Sequence, residues 1–216
     1  VTKGGNRMVW NMRYPGFQEF EGMVFYSSPN VGPKAVPGNY KVRLTYNGQS
    51  MEQEFSIVKD PRIPNTQKDF QDQFDFLMAV RDQVTRANNA IINIRNIKKD
   101  LDYLKAKTKD NPELQKMATD FETELSVIEN NIHMTKNQSR QDPLNYGIRI
   151  NNRIAFLLAD SQRGDQRPTQ QAKAFFAEVT KELDTEISAL NRLIQERATA
   201  INNKADENHI KMISMD

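Results

Sequence analysis

TQKDFQDQFDFLMAVRDQVTRANNAIINIRNIKKDLDYLKAK, residues 66–107, decides the fold of this chain. It contains neither Gly nor Pro, and its apolar residues fall at Phe70, Phe74, Leu77, Val80, Val84, Ala87, Ile91, Ile94, Ile97, Leu101 and Leu104. Every step is three or four residues, so these side chains line one face of a helix of about 40 residues, roughly 60 Å long. A rod with one apolar stripe is not stable alone and must bury the stripe against other helices. The stretch therefore speaks for a scaffold rather than for chemistry.

Downstream, the same period recurs. Asp110, Asn111 and Pro112 form a turn with a cap and a proline at the first helical position. A second helix follows with Leu114, Met117, Phe121, Leu125, Ile128 and Ile132 at helical spacing. Polar residues 135–141 are a loop. Asp142 and Pro143 open a third helix carrying Leu144, Ile148, Ile154, Leu157 and Leu158, weakened by Gly147 inside it. Residues 161–168 form another loop, with Gly164 and Pro168 as punctuation. A fourth, long helix carries Ala172, Phe176, Val179, Leu183, Ile187, Leu190, Ile194, Ile201 and Ala205, and frays past Asn208. Two long helices bracket two shorter ones whose lengths sum to about one long helix. This predicts a three-layer bundle or an antiparallel bundle of about four helices, with the long rods as its spine.

Upstream, Lys59 to Pro64 is a stiff linker with two prolines, and Asn65 or Thr66 can cap the long helix. Residues 1–59 read as β structure. Met8 to Arg13 alternates, and residues 21–27 hold a short apolar strand. Tyr40, Val42, Leu44 and Tyr46 alternate with Lys41, Arg43 and Thr45; Met51, Gln53, Phe55 and Ile57 alternate with Glu52, Glu54, Ser56 and Val58. Asn47 and Gly48 between these runs predict a hairpin, because both tolerate positive φ. Such a hairpin is expected to be half-buried. Four strands are too few for an independent sandwich of about seven, which leaves a trimmed sandwich or strands upstream of Val1. The expected organisation is α+β and mostly α: a partial sandwich over 1–59, a linker over 60–65 and a helical bundle over 66–216. The chain starts at Val1 rather than Met, so an excised or processed piece is expected.

The totals fit this outline. Of 216 residues 38% are apolar and 27% charged, with a net charge of +2. Mean hydropathy is -0.74 and the pI is near 8.7. Two-faced helices explain the polarity. The charge is too small for a nucleic-acid footprint. The absence of Cys excludes disulfides, thiolate metal sites and Cys nucleophiles. No apolar run approaches the roughly 18 residues of a membrane span.

No constellation of residues points to catalysis. His133 and His209 are far apart and lack a ligand pattern, so exposed helix-end positions are expected. Asp69, Asp72, Asp75, Glu122, Glu124 and Glu129 read as solvated helix faces, since a general acid/base pair needs two carboxylates converging on one pocket. Lys98, Lys99, Lys105, Lys107 and Lys109 are mixed with Asp100, Asp102 and Asp110 and read as mixed-charge surface. Phosphate-loop, dinucleotide and nucleophile-elbow motifs are absent. Asn137-Gln138-Ser139 matches the short glycosylation triplet. Trp10, Tyr14, Phe17, Phe20, Phe25, Tyr26, Tyr40 and Tyr46 read as sheet core and strand edge, with a sugar-stacking platform as the alternative. Asn88, Asn89, Asn93, Asn151, Asn152, Asn202 and Asn203 are expected at the surface, though polar residues in a bundle can also set register. No catalytic, cofactor-binding or metal residue is assigned, and no enzyme activity is expected.

Residues 4–15, GGNRMVWNMRYP, followed by 32–45, GPKAVPGNYKVRLT, resemble a G-x-N-x-x-x-W-x-L-R … P-G-x-Y-x-V-x-L pattern. That pattern belongs to Ig-like domains similar to that of the flagellar hook-capping protein; Met12 stands in place of its Leu. Followed by D-P-R and QFDFLMAVRDQVTRANNAIINIR, the arrangement resembles the C-terminal end of large bacterial exported proteins. Their N-terminal part is a sortilin-like β-propeller with Asp-box (BNR) repeats, commonly labelled glycosyl hydrolase. The resemblance covers residues 1 to about 105. It implies an extracytoplasmic location (periplasmic, cell-surface or secreted), an upstream β-propeller as partner, and a catalytic or ligand-binding surface on that propeller, so no active-site residue carries over. The leading expectation is a non-catalytic C-terminal accessory or assembly module, with possible self-association through the helices. The alternatives are a carbohydrate-binding module using the β-region aromatics, which would bind polysaccharide, and a free-standing helical adaptor in the cytoplasm. Neither a nucleic-acid partner nor a membrane span is expected.

Overall fold

The structure, a computed structural model, describes residues 3–207. His209 and the fraying expected past Asn208 lie outside these residues. The described chain is mostly helical, with five helices and one two-stranded antiparallel sheet.

The first helix, α1, runs Gln67–Lys107. Thr66 caps it: its hydroxyl accepts from the Asp69 backbone N–H, and the Asp69 carboxylate accepts from the Thr66 N–H at 2.8 Å. α2 spans Pro112–Ile132, with Asn111 Oδ1 accepting from the Leu114 N–H at 3.1 Å. The single turn α3 (Pro143–Tyr146) and α4 (Ile150–Ser161) replace the continuous third helix expected from Asp142. The break falls at Gly147, whose φ of 75° is left-handed and cannot continue a right-handed helix. α5 spans Gln170–Glu207.

Side-chain pairings give the helix order. Phe76 meets Phe176 and Arg86 pairs with Asp184, so α1 and α5 run parallel. Lys105 pairs with Glu122 and Arg95 with Glu129, so α2 runs antiparallel to α1. Gln73 donates to the Ser161 carbonyl and Asn151 to Asn88, so α4 also runs antiparallel to α1, beside its N-terminal half. α2 and α4 thus lie end to end as one interrupted middle rod between two long ones. The bundle has three rods, and two of them are parallel. The α1 stripe from Phe70 to Leu104 is buried by this chain's own helices, apart from a half-buried Phe74.

The hairpin forms as the sequence predicts. β1 (Gly38–Tyr46) pairs with β2 (Gln49–Ile57) through Asn47 and Gly48, at φ 47° and 77°. Tyr40 faces Phe55 and Leu44 faces Met51; on the other side Lys41 faces Glu54 and Arg43 faces Glu52. The expectation of half-burial fails: Leu44 is 60% and Met51 70% exposed, and only the root is covered, where Trp10 packs on Tyr40 and Phe55.

The strands expected at Met8 to Arg13 and at 21–27 do not form, and a sandwich is not present among the described residues. Residues 12–35 close instead into a loop. Its ends meet through one bridge, Arg13 to Lys34, with Tyr14 N–H to the Pro33 carbonyl at 2.9 Å and Ala35 N–H to the Met12 carbonyl at 2.8 Å. Asn30 pins the loop further in, accepting from the Phe17 N–H at 2.8 Å and donating to its carbonyl at 2.9 Å. A Cβ on Gly32 would sit 1.9 Å from the Tyr14 carbonyl oxygen, so only glycine permits this closure. Phe17, Phe20, Met23 and Phe25 then enter the helical core. Their apolar surface is buried by helices rather than by a second sheet, so the short apolar run at 21–27 serves as a loop tip and not as a strand.

Candidate functional site

The loop tip fills the place where the middle rod is interrupted, between the end of α2 and the start of α4. Polar side chains from α1 and α4 hold it there. Asn88 of α1 donates from Nδ2 to the Gln18 carbonyl at 2.6 Å. Arg95 of α1 donates to the Glu21 carbonyl at 2.6 Å, and its guanidinium lies 4.7 Å from the centre of the Phe20 ring. Asn152 of α4 grips Tyr26 at both backbone groups, accepting from its N–H at 2.8 Å and donating to its carbonyl at 3.1 Å. The hydrogen bonds to Gln18, Glu21 and Tyr26 are made to backbone groups, as befits an extended segment with its own N–H and C=O groups to satisfy.

Beneath the tip lies a buried hydrogen-bonded chain. Asn151 Nδ2 donates to Asn88 Oδ1 at 3.1 Å and lies 3.3 Å from His133 Nδ1. Phe20 meets the His133 ring edge-on at 4.9 Å, and Phe25 lies 6.2 Å away. His133 is only 2% exposed, a correction to the expected surface position. Burial pushes its pKa down to about 4; the Asn151 hydrogen bond opposes this, Arg95 adds to it, and Glu129 opposes it weakly. Glu129 is itself buried between Arg95, at 2.8 Å, and Lys98, at 2.6 Å. Burial raises its carboxyl, but the hydrogen bonds from Lys98 and Arg95 outweigh burial and hold it below the ordinary range.

Asn88, Asn151 and Asn152 are thus buried, another correction, whereas Asn89, Asn93 and Asn203 are exposed and Asn202 half-buried. The signal for burial was present in the spacing. Asn88 falls between Val84 and Ile91 on the α1 stripe, and Glu129 between Leu125 and Ile132 on the α2 stripe. A polar residue on an apolar stripe is placed inside and must find partners there.

The remaining candidates disperse. Asp69 caps α1, and hydrogen bonds from the Thr66 backbone and hydroxyl hold its carboxyl low. Asp72 pairs with Lys68, Asp75 accepts from Gln71, Glu122 pairs with Lys105 and Glu124 with Arg197. Each carboxylate has a different partner, and no two of these carboxylates line a common pocket. Among the described residues, no group of three or more His, Asp or Glu could hold a metal ion. Asn137 of the glycosylation triplet is 8% exposed, so its amide is closed to modification in the folded chain. Tyr14 packs on Phe74 and Phe17 on Phe25, while Tyr46 stands open on the hairpin.

A cavity of about 410 Å³ lies where hairpin, loop and bundle meet, with Met12, Ile57, Ile63, Phe70 and Phe74 on its walls. The Lys34–Asp165 ion pair, at 3.2 Å, contributes to its lining. Ile57 lies on the same face of β2 as Phe55 and Met51, so the open apolar face of the hairpin runs into this cavity. No helix among the described residues is long and apolar enough to cross a membrane. No family model, curated protein or solved structure matches the chain.

Proposed function

We propose that this chain is a non-catalytic accessory module that ties a helical body to further β structure in a larger exported protein. The observation that carries the reading is the open hairpin. A two-stranded sheet is marginal in water and needs a third strand or a packed layer. Here Val42, Leu44, Tyr46 and Met51 stand on one face with nothing over them. The other face is neutralised by the Lys41–Glu54 and Arg43–Glu52 pairs and suits water. Nine residues per strand give a face of roughly 30 by 10 Å. That is about 300 Å², well short of the roughly 800 Å² per partner of a stable protein–protein contact. A face of that size suits one layer of a larger β assembly better than a free dimer. The α1 stripe, already filled, offers no second docking face.

The resemblance to exported β-propeller proteins supports an extracytoplasmic setting and a propeller-bearing partner in the same polypeptide. Carbohydrate binding is the weaker reading. Trp10, Tyr40 and Phe55 pack on one another at 59°, 79° and 25°, and spend their rings on each other rather than on a flat open platform. Hydrogen exchange tests the main reading. Amides of residues 40–57 are expected to exchange fast in the isolated chain and to be protected in the larger protein. Equal exchange in both would sink it.

A further inference from the structure

The buried chain His133–Asn151–Asn88 ends on the loop, and its hydrogen bonds have a direction. Asn151 spends one N–H on Asn88 Oδ1, at 3.1 Å, and turns the other to His133 Nδ1, at 3.3 Å. His133 Nδ1 is therefore an acceptor, and the neutral ring carries its proton on Nε2. Asn88, with its oxygen turned to Asn151, is left with Nδ2 facing the Gln18 carbonyl at 2.6 Å. Asn151 Oδ1, by contrast, is buried without a partner.

We propose that this chain is an acid-operated latch: a proton bound at His133 Nδ1 reverses both amides in turn and breaks the Asn88–Gln18 hydrogen bond that holds the loop tip in the bundle. With Nδ1 protonated, two donors face each other across 3.3 Å. Asn151 relieves this by reversing, which gives its oxygen the His133 donor and leaves its Nδ2 in the buried position that has no partner. Its oxygen then faces Asn88 Oδ1, so Asn88 must reverse as well. Asn88 Oδ1 is then set against the Gln18 carbonyl oxygen, and an attractive contact becomes a repulsive one. No covalent bond changes; one proton enters.

The surroundings favour release over accommodation of the charge. The charged groups acting on His133 are Arg95 of α1 and Glu129 of α2, and Glu129 is already engaged by Arg95 and Lys98. α4 presents the neutral Asn151, and the loop presents Phe20 and Phe25. Arg95 also holds the loop at Glu21, so repulsion between a charged His133 and Arg95 strains a second anchor. The loop leads directly into β1, so freeing its tip loosens the seat of the hairpin. The latch stands on the bundle and loop alone and does not depend on what covers the hairpin.

Hydrogen exchange of residues 18–26 in this chain, corrected for intrinsic rates, tests the latch between pH 7.5 and 5. With His133 titrating near 4 when latched and at its ordinary 6.5 when freed, opening of the tip rises about 30-fold. Amides of α5 around Leu183 and Leu190 hold their protection. His133→Gln, which cannot take the charge, flattens the rise. The side-chain amide resonances of Asn88 and Asn151 separate the relay from simple burial of charge: both shift together with the His133 titration. A rise unchanged in H133Q, independent shifts of the two amides, or α5 opening together with the tip would each overturn the latch. If H133Q does not fold, the same two resonances in the unaltered chain carry the test alone.

Discussion

The long helix and the hairpin both carry a regular apolar stripe, yet the first is buried at every position but the half-buried Phe74 and the second stands in water beyond its root. On α1 Val80, Val84, Ile91, Ile94 and Leu104 have no exposed surface, because α2, α4 and α5 wrap the stripe along its length. On the hairpin Val42, Leu44, Tyr46 and Met51 are exposed, and cover is confined to the root, where Trp10 packs on Tyr40 and Phe55. Amphipathic period states that a face must be covered; it does not name the cover. The helices find theirs within the described chain, and the hairpin does not.

This contrast can be broken at the core, where the largest effect is expected. Phe121 of α2 is 1% exposed, and Phe121→Ala should cost about 3–5 kcal/mol in a denaturant titration. A loss below about 1 kcal/mol would mean that the middle rod does not pack as described.

Acid should come next. The folded His133 pKa, about 4, lies below the ordinary 6.5, so the neutral ring is the form the fold prefers. Its contribution is complete above pH 6.5 and fades as pH falls toward 4, for a total on the order of 3 kcal/mol. Unfolding free energy measured across that range should show the fall, and H133Q should remove it.

A smaller effect belongs to the start of α1. Thr66→Ala removes the hydroxyl half of the capping box and should lower stability by about 1 kcal/mol, read as a shift in the denaturation midpoint with unchanged slope. The smallest effect sharpens the comparison from the other side. Leu44→Ala should change the stability of the isolated chain by no more than about 0.5 kcal/mol, because the side chain is 60% exposed. In the proposed larger assembly the same change should weaken protection of residues 40–57. A cost near that of Phe121→Ala in the isolated chain would show that the hairpin face is already covered.

Much of the fold was legible. The α1 limits, the Asn111-Pro112 start of α2, the long α5 and the Asn47-Gly48 hairpin all follow from local chemistry: caps, prolines, positive φ and uninterrupted period. The summed length of the two middle helices already suggested that together they match one rod. The candidate site was only half legible. Asn88 and Glu129 betray themselves as polar residues on apolar stripes, but His133 sits at a helix end that looks exposed until a loop more than 100 residues away in sequence covers it.

The sequence by itself determined where helices and turns begin and end, because those choices are settled within a few residues by backbone geometry and side-chain caps. Only the tertiary structure decided what residues 12–35 become. Residues 23–26 are a short apolar run such as a strand carries, yet the gap between α2 and α4 gives Phe20, Met23 and Phe25 a packed apolar site instead. The same competition buries His133 and the three asparagines, and leaves the hairpin face open. Burial depends on which distant surfaces meet, and no local pattern contains that information.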